Sequence, residues 1–321
     1  MPPQGNAGGN RGPVHIQSAE HAHGQPIKAP PQFQLPSDAH IEQRTNNRVI
    51  LNIDNRTIIQ NDDHSRIAHD ARDVRYERLP DDQTRQVVVR PDGVRIVTIR
   101  NGYGDIIHRS RIDPNGKEIV LIYAPQGDRQ DPSFYRDMDV GLPPIRVDEA
   151  PRDYILDARG ADERQYVTFL EKPPIEPIRR VYTLDEVRYS ARLRDIMPRI
   201  DLDTITFATG SAAIGNDQAQ TLQELADAIL AVLHRDPSQM FLIEGHTDAV
   251  GSAQSNLVLS DERAESVASL LTQHFDVPPE NLVTQGYGEE YLKVDTQGPE
   301  RSNRRVTVRR ITPLIRPTAQ N

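Results

Sequence analysis

Cysteine is missing from all 321 residues. Disulfides, thiolate metal sites and cysteine nucleophiles are thereby excluded, and a lipid anchor carried on a cysteine is not expected. Tryptophan is also missing, aromatics make up 5% and hydrophobic residues only 36%. A chain so poor in apolar side chains is expected to have stretches without a packed core. No apolar run approaches the roughly 20 residues of a membrane helix. The start, Met1-Pro-Pro-Gln-Gly-Asn, shows no charged segment followed by an apolar one, so no signal peptide is expected. An excess of basic residues is lacking too. The formal charge is −9, which gives nucleic acid no field to follow.

What is present changes character along the chain. Residues 1–44 are rich in Gly, Pro, Gln, Asn and His and are expected to be a disordered tail. His15, His21 and His23 lie there without metal-ligand spacing and are expected to be solvated. From 45 to 125 the apolar period is two. Val49 to Ile53, Thr57 to Ile59, Val87 to Val89, Val94 to Ile99, Ile106-Ile107 and Ile119 to Tyr123 alternate with turns at Pro91-Asp92-Gly93, Asn101-Gly102 and Asn115-Gly116. This predicts an antiparallel β-hairpin meander with no helix in it. Its interleaved arginines suit either a binding surface or, preferably, a solvated face that discourages edge association. Residues 126–200 are Pro- and Asp-rich and predict a linker with one strand near Tyr166 to Leu170. A short helix follows from the capping box Thr183-x-x-Glu186 to about Ile196.

From 201 to 312 strands and helices alternate. Thr204 to Phe207, Met240 to Ile243, Leu282 to Thr284 and Arg304 to Ile311 read as strands. Leu222, Leu225, Ala226, Ile229 and Leu233 mark one amphipathic helix. Leu257, Ala264, Val267, Ala268 and Leu271 mark a second, over about 255–274. The order β-α-β-α-β-β implies an α+β fold, a two-layer sandwich with helices on one face of a mixed sheet. Residues 313–321 are a tail.

The stretch Gly245-His-Thr-Asp-Ala-Val-Gly251 carries an acid, Asp248, at a strand end. The following helix carries Arg263 fifteen positions on. Asn256 and Arg263 are seven residues apart, about 20° round a helix axis, so they share a stripe with Leu259 nearby. One fixed acid and one fixed guanidinium suit a zwitterionic head group, because guanidinium pairs bidentately with carboxylate. They equally suit an internal salt bridge. His246 reads as a loop-shaping hydrogen bonder rather than a base. Ser260 reads as a helix cap, and Arg305 as paired to local acids.

Five ordered blocks carry a resemblance. They are Phe207-Ala-Thr-Gly-Ser211, Glu244-Gly-His-Thr-Asp248, Asn256-x2-Leu259-Ser260-x2-Arg263-Ala264, Gly286-Tyr-Gly288 and Asn303-Arg-Arg-Val306. Together they resemble the OmpA-like domains that bind bacterial peptidoglycan, over about a third of the chain. The resemblance implies that Asp248 and Arg263 grip the free amino-acid end of meso-diaminopimelate. It makes Asn256, Phe207, Leu259 and Arg304 secondary contacts. It implies no cofactor, no metal and no catalysis, a periplasmic or outer-membrane-associated place, and an envelope protein as partner of the meander. Two alternatives share the motif: a wall-acting enzyme using His246 and Asp248, which lacks a recognisable nucleophile, and a motor-stator relative, which would carry a membrane helix ahead of the domain.

Overall fold

The computed structural model describes residues 16, 18–35, 39–45, 47–53, 56–124, 143, 145, 151–205, 207–208 and 210–316. In the N-terminal half the period-two runs form β1 (Gln25–Ile27), β2 (His40–Thr45), β3 (Arg48–Ile53), β4 (Arg56–Asn61), β5 (Asp73–Arg78), β6 (Thr84–Val89), β7 (Arg95–Arg100), β8 (Ile106–Ile112) and β9 (Glu118–Tyr123). They divide into two antiparallel sheets, β2-β3-β4 and β1-β5-β6-β7-β8-β9. Gly93, Gly104 and Gly116 close hairpins at φ 84°, 93° and 86°. At the middle turn it is therefore Gly104, not the expected Gly102, that takes the left-handed conformation.

Three expectations for this half are corrected. Residues 25–27 and 40–44 are strands rather than disordered tail, because β1 pairs with β5 and β2 with β3. Residues 1–15, including His15, lie outside the described residues, while His21 and His23 are exposed. A one-turn helix, α1 (His64–Ile67), interrupts the strands and buries Arg66 and Ile67. The arginines, finally, do not form one solvated face: Arg44, Arg72, Arg75 and Arg78 are exposed, but others are drawn inward. Arg109 is fully enclosed against Asp63 at 2.7 Å. Others cross to the C-terminal half: Arg48 meets Asp261, Arg66 meets Glu265 and Arg90 meets Glu280, at 2.6, 3.0 and 2.6 Å.

The C-terminal half contains α2 (Pro151–Tyr154), β10 (Ile155–Asp157), α3 (Glu163–Leu170), α4 (Leu184–Tyr189), α5 (Ala191–Arg194), β11 (Arg199–Asp201), α6 (Asn216–Ala219), α7 (Gln223–Arg235), β12 (Phe241–Gly245), α8 (Ala253–Phe275), β13 (Leu282–Gly286), β14 (Val306–Arg310) and α9 (Thr312–Ile315). The mixed sheet runs β10-β11-β14-β12-β13, parallel in β10/β11 and β12/β13 and antiparallel about β14. The strand expected at 204–207 is replaced by an earlier one, β11, and Asp203 and Thr204 make a turn. Arg199 and Asp201 hide the strand signal: they flank the buried Ile200 and pair with each other at 3.0 Å.

The segment expected as a linker contributes two strands and several helices. Tyr166, Phe169 and Leu170 lie on a helix, not a strand. Their i, i+3, i+4 spacing follows a capping box between Asp162 and Gln165. The Thr183 capping box opens α4 as expected, and Ser190 then caps a separate α5. Residues 313–316 are not a tail, since Leu314 and Ile315 are fully buried.

Alternation along β12 assigns its side chains to two cores. Phe241 and Ile243 pack under α3, α7 and α8. Met240 and Leu242 pack with Leu184, Val187, Leu193, Leu314 and, from β9, Leu121 and Ile122. The expected sandwich is present, and its second face is covered by a third layer rather than left open. Each fully buried aliphatic side chain contributes roughly 1.5–3 kcal/mol. Leu257 departs from its expected core: it packs with Ile50 and Ile59 of the three-stranded sheet.

Candidate functional site

Two glycines bring α8 onto the sheet. Gly245 and Gly286 face each other in the β12/β13 register. A Cβ on Gly245 would stand 1.8 Å from the Ser260 carbonyl oxygen, and one on Gly286 would stand 2.3 Å from the Asp261 nitrogen. Only bare backbone allows this crossing. Ser260 is therefore a mid-helix clamp rather than a cap. Its hydroxyl donates to the Leu257 carbonyl at 2.8 Å and accepts from the Gly288 N–H at 2.8 Å. The cap is Ser252, which accepts from the Ser255 N–H. The helix ends at Asp276, in the left-handed conformation at φ 57°.

The loop after β12 is pinned by backbone. His246 N–H donates to Arg305 O at 2.9 Å, and Thr247 N–H to Gly288 O at 2.9 Å. This places Asp248 where its Oδ2 accepts from Arg304 at 2.6 Å and from the Glu300 N–H at 3.3 Å. Asn256 ties the loop to α8, donating to the Asp248 carbonyl at 3.3 Å and to Glu289 at 2.5 Å.

Arg263 is 1% exposed. Its Nε donates to Ser211 O at 3.1 Å and Nη2 to Ala208 O at 3.4 Å, while the plane lies 4.9 Å from the Phe207 ring centre. Nη1 is buried without a partner. Burial, with repulsion from Arg304, lowers its pKa to about 10, and attraction to Asp248 only partly opposes this. Among the described residues the ion pair of Asp248 is with Arg304, not Arg263. The internal Asp248–Arg263 bridge is thus absent, and a guanidinium stands beside an acid without meeting it.

Five of the six expected residues are linked in this way: Asp248 to Arg304 and Asn256, and Arg263 to Phe207. Leu259 is half-buried nearby on α8. Sequence reasoning missed Glu289 and the Glu300 N–H, although Glu289 directly follows Gly286-Tyr-Gly288. Two neighbouring expectations are corrected. The His246 ring stacks on Tyr287 with centroids 5.7 Å apart and lies 3.8 Å from Glu244, beyond hydrogen-bond length. Burial, aided by Arg305, pushes its pKa down to about 3 against the pull of Glu244, so it is neutral at pH 7. Arg305 donates to the Tyr291 carbonyl at 3.0 Å instead of pairing with an acid. Among the described residues no cluster of three His, Asp or Glu could hold a metal, and no helix is long and apolar enough to cross a membrane.

The sequence pattern of the OmpA family matches residues 206–305, which enclose this arrangement. YfiB of Escherichia coli (strain K12) is 34% identical over 113 residues, covering 35% of this chain and 68% of that protein. The chain belongs to the OmpA family. The peptidoglycan-associated lipoprotein of Agrobacterium fabrum is 36% identical over 88 residues, 27% of this chain and 47% of its relative. The chain thus spans about half the length of that relative. The solved peptidoglycan-associated lipoprotein of Burkholderia pseudomallei is 25% identical, covering 33% of this chain and 87% of its own, with a TM-score of 0.29.

Proposed function

We propose that the OmpA-family unit binds peptidoglycan without altering it. It grips the free amino-acid end of meso-diaminopimelate, with Arg263 on the carboxylate and Asp248 on the ammonium. The observation that carries this reading is the buried Nη1 of Arg263, which has no partner beside an acid turned to Arg304. An enclosed guanidinium short of acceptors is costly unless a ligand carboxylate completes it. The carboxylate would compete with the Ala208 and Ser211 carbonyls, and the ammonium with Arg304. Asn256 and Phe207 position the two charged groups, and Leu259 borders them. Relatives named as peptidoglycan-associated lipoproteins agree in direction.

A periplasmic, outer-membrane-associated place and an envelope partner for the N-terminal sheets belong to the same reading. Catalysis does not: a histidine held neutral down to about pH 3 is a poor proton acceptor at pH 7. Sedimentation with purified walls tests the grip. Diaminopimelate-type wall should carry the protein down, whereas lysine-type wall, lacking the second carboxylate, should not. Equal sedimentation with both would refute the assignment. Release of soluble wall fragments would refute the non-catalytic reading.

A further inference from the structure

A cavity of about 360 Å³ opens beside the grip. Its walls are Ile58 and Ile59 of β4, Tyr189 at the end of α4, Ala253 and Leu257 of α8, and the segment from Gln285 to Tyr291. The walls from β4 and Tyr189 lie outside the family-matched residues 206–305 and the others inside them, so the two parts of the chain build this space jointly.

The polar groups of its floor have mostly spent their hydrogens. Tyr189 donates to Ile59 O at 3.3 Å and Tyr287 to Arg188 O at 2.7 Å. The N–H groups of Gly286, Tyr287 and Gly288 go to Asp261, Gly245 O and Ser260. Gln285 is 2% exposed. Its Nε2 faces two carbonyls, Ile59 O at 3.3 Å and Gly286 O at 3.2 Å, which fixes the amide orientation. Its Oε1 is left buried with no partner. Glu289 and Glu290 add two carboxylates to the lining. Arg194, stacked 3.9 Å from the Tyr287 centroid and absent from the lining, donates to the Arg188 carbonyl at 2.6 Å and lies 4.0 Å from Glu244, whose nearer partner is Arg309 at 2.7 Å. The floor thus offers acceptors, negative charge and an apolar wall.

We propose that this cavity binds an aliphatic ammonium group. The ammonium donates to Gln285 Oε1 and to the glutamates, and its carbon stem lies along Ile59 and Leu257. An anion would meet acceptors of its own sign, and a neutral alcohol would forgo the carboxylates. The inference does not rest on the wall grip, since neither Asp248 nor Arg263 lines the cavity.

Titration calorimetry on the full chain at low salt tests it, with n-butylammonium, n-butyrate and n-butanol as probes. Saturable heat with butylammonium alone is expected. Ala253→Trp, which plugs the rim, should weaken that binding at least about tenfold, equivalent to about 1.4 kcal/mol, with an unchanged melting temperature. Gln285→Leu should weaken it similarly if it folds; if it does not, Ala253→Trp decides. A lysine blocked at both ends separates two sources. Its binding would point to a side chain on a polymer, and its failure beside butylammonium binding to a free amine. Equal binding of butanol or butyrate, no saturation by butylammonium, or wild-type binding in a folded variant overturns the proposal.

Discussion

Asp261 and Arg263 lie two residues apart on α8, both almost fully enclosed, on opposite sides of the helix and in opposite circumstances. Asp261 faces the N-terminal sheets and accepts from Arg48 at 2.6 Å, Asn61 at 2.7 Å and the Gly286 N–H at 3.1 Å. Arg263 faces the Asp248 loop with two carbonyls, a ring and one empty nitrogen. A buried charge that is saturated by its own chain serves the fold. One left short of partners is poised for something else. The same helix thus carries a saturated charge on one face and, on the other, the unsaturated one proposed above to bind the wall.

Exchanging each for alanine separates the two faces most sharply. Asp261→Ala strands Arg48 and the Gly286 N–H, and removal of one partner from a buried pair costs about 3–5 kcal/mol. Denaturant unfolding should show that loss. Arg263→Ala removes a charge that already lacked full compensation, so unfolding should shift by no more than about 1–2 kcal/mol. Its affinity for diaminopimelate-type wall, read by sedimentation, should instead fall at least about thirtyfold, as truncating a charge that pairs with a desolvated ligand costs about 2–5 kcal/mol. A large stability loss in Arg263→Ala with binding retained would erase the distinction.

How far the sequence reveals this contrast depends on the residue. The motif from Asn256 to Ala264 made Arg263 and Asn256 legible, and the block from Glu244 to Asp248 did so for Asp248, because regular helical and strand spacing ties residue number to geometry. Asp261 sits inside the same motif yet was invisible as a docking point. Its partners Arg48 and Asn61 are some 200 residues away, and nothing local marks a long-range pair. Leu257 misled for the same reason: helical period shows that it is buried, not against which sheet. The strand at 199–201 was missed because its two charged residues neutralise each other in the fold. The pairing of Asp248 with Arg304 is likewise set by the fold, since the sequence pattern places both toward the ligand separately.

Acid should probe the third layer next. Buried on β12, Glu244 lies 2.7 Å from Arg309 and has its pKa held well below the carboxylate range, against desolvation, by Arg309 first. His246 is held down to about 3, chiefly by burial. For both groups the folded value is depressed, so the stability they contribute is present above the unfolded pKa and is lost as pH falls. The His246 share should start to disappear below about pH 6.5 and the Glu244 share below about pH 4.3. A single group can change stability by up to about 1.4 kcal/mol per pH unit within its window. His246→Phe should flatten the slope from about pH 6.5 down to about 3, and Glu244→Gln only the slope added below about pH 4.3, in unfolding measured from pH 7 to 3. An upper window untouched by His246→Phe would assign that slope elsewhere.

The smallest effect belongs to Asn256, which touches both the Asp248 loop and Glu289 but carries no charge. Loss of its amide removes one hydrogen bond to the Asp248 carbonyl at 3.3 Å and frees Glu289. Asp248 stays fixed by Arg304, the Glu300 N–H and the backbone bonds of His246 and Thr247. A neutral hydrogen bond is worth about 0.5–1.5 kcal/mol net, so Asn256→Ala should weaken wall binding by about two- to tenfold. The thermal midpoint should move by only a few degrees. A loss as deep as that of Arg263→Ala would move Asn256 from the support of the loop into direct contact with the ligand, and the binding face of α8 would then begin a full two turns earlier than Arg263.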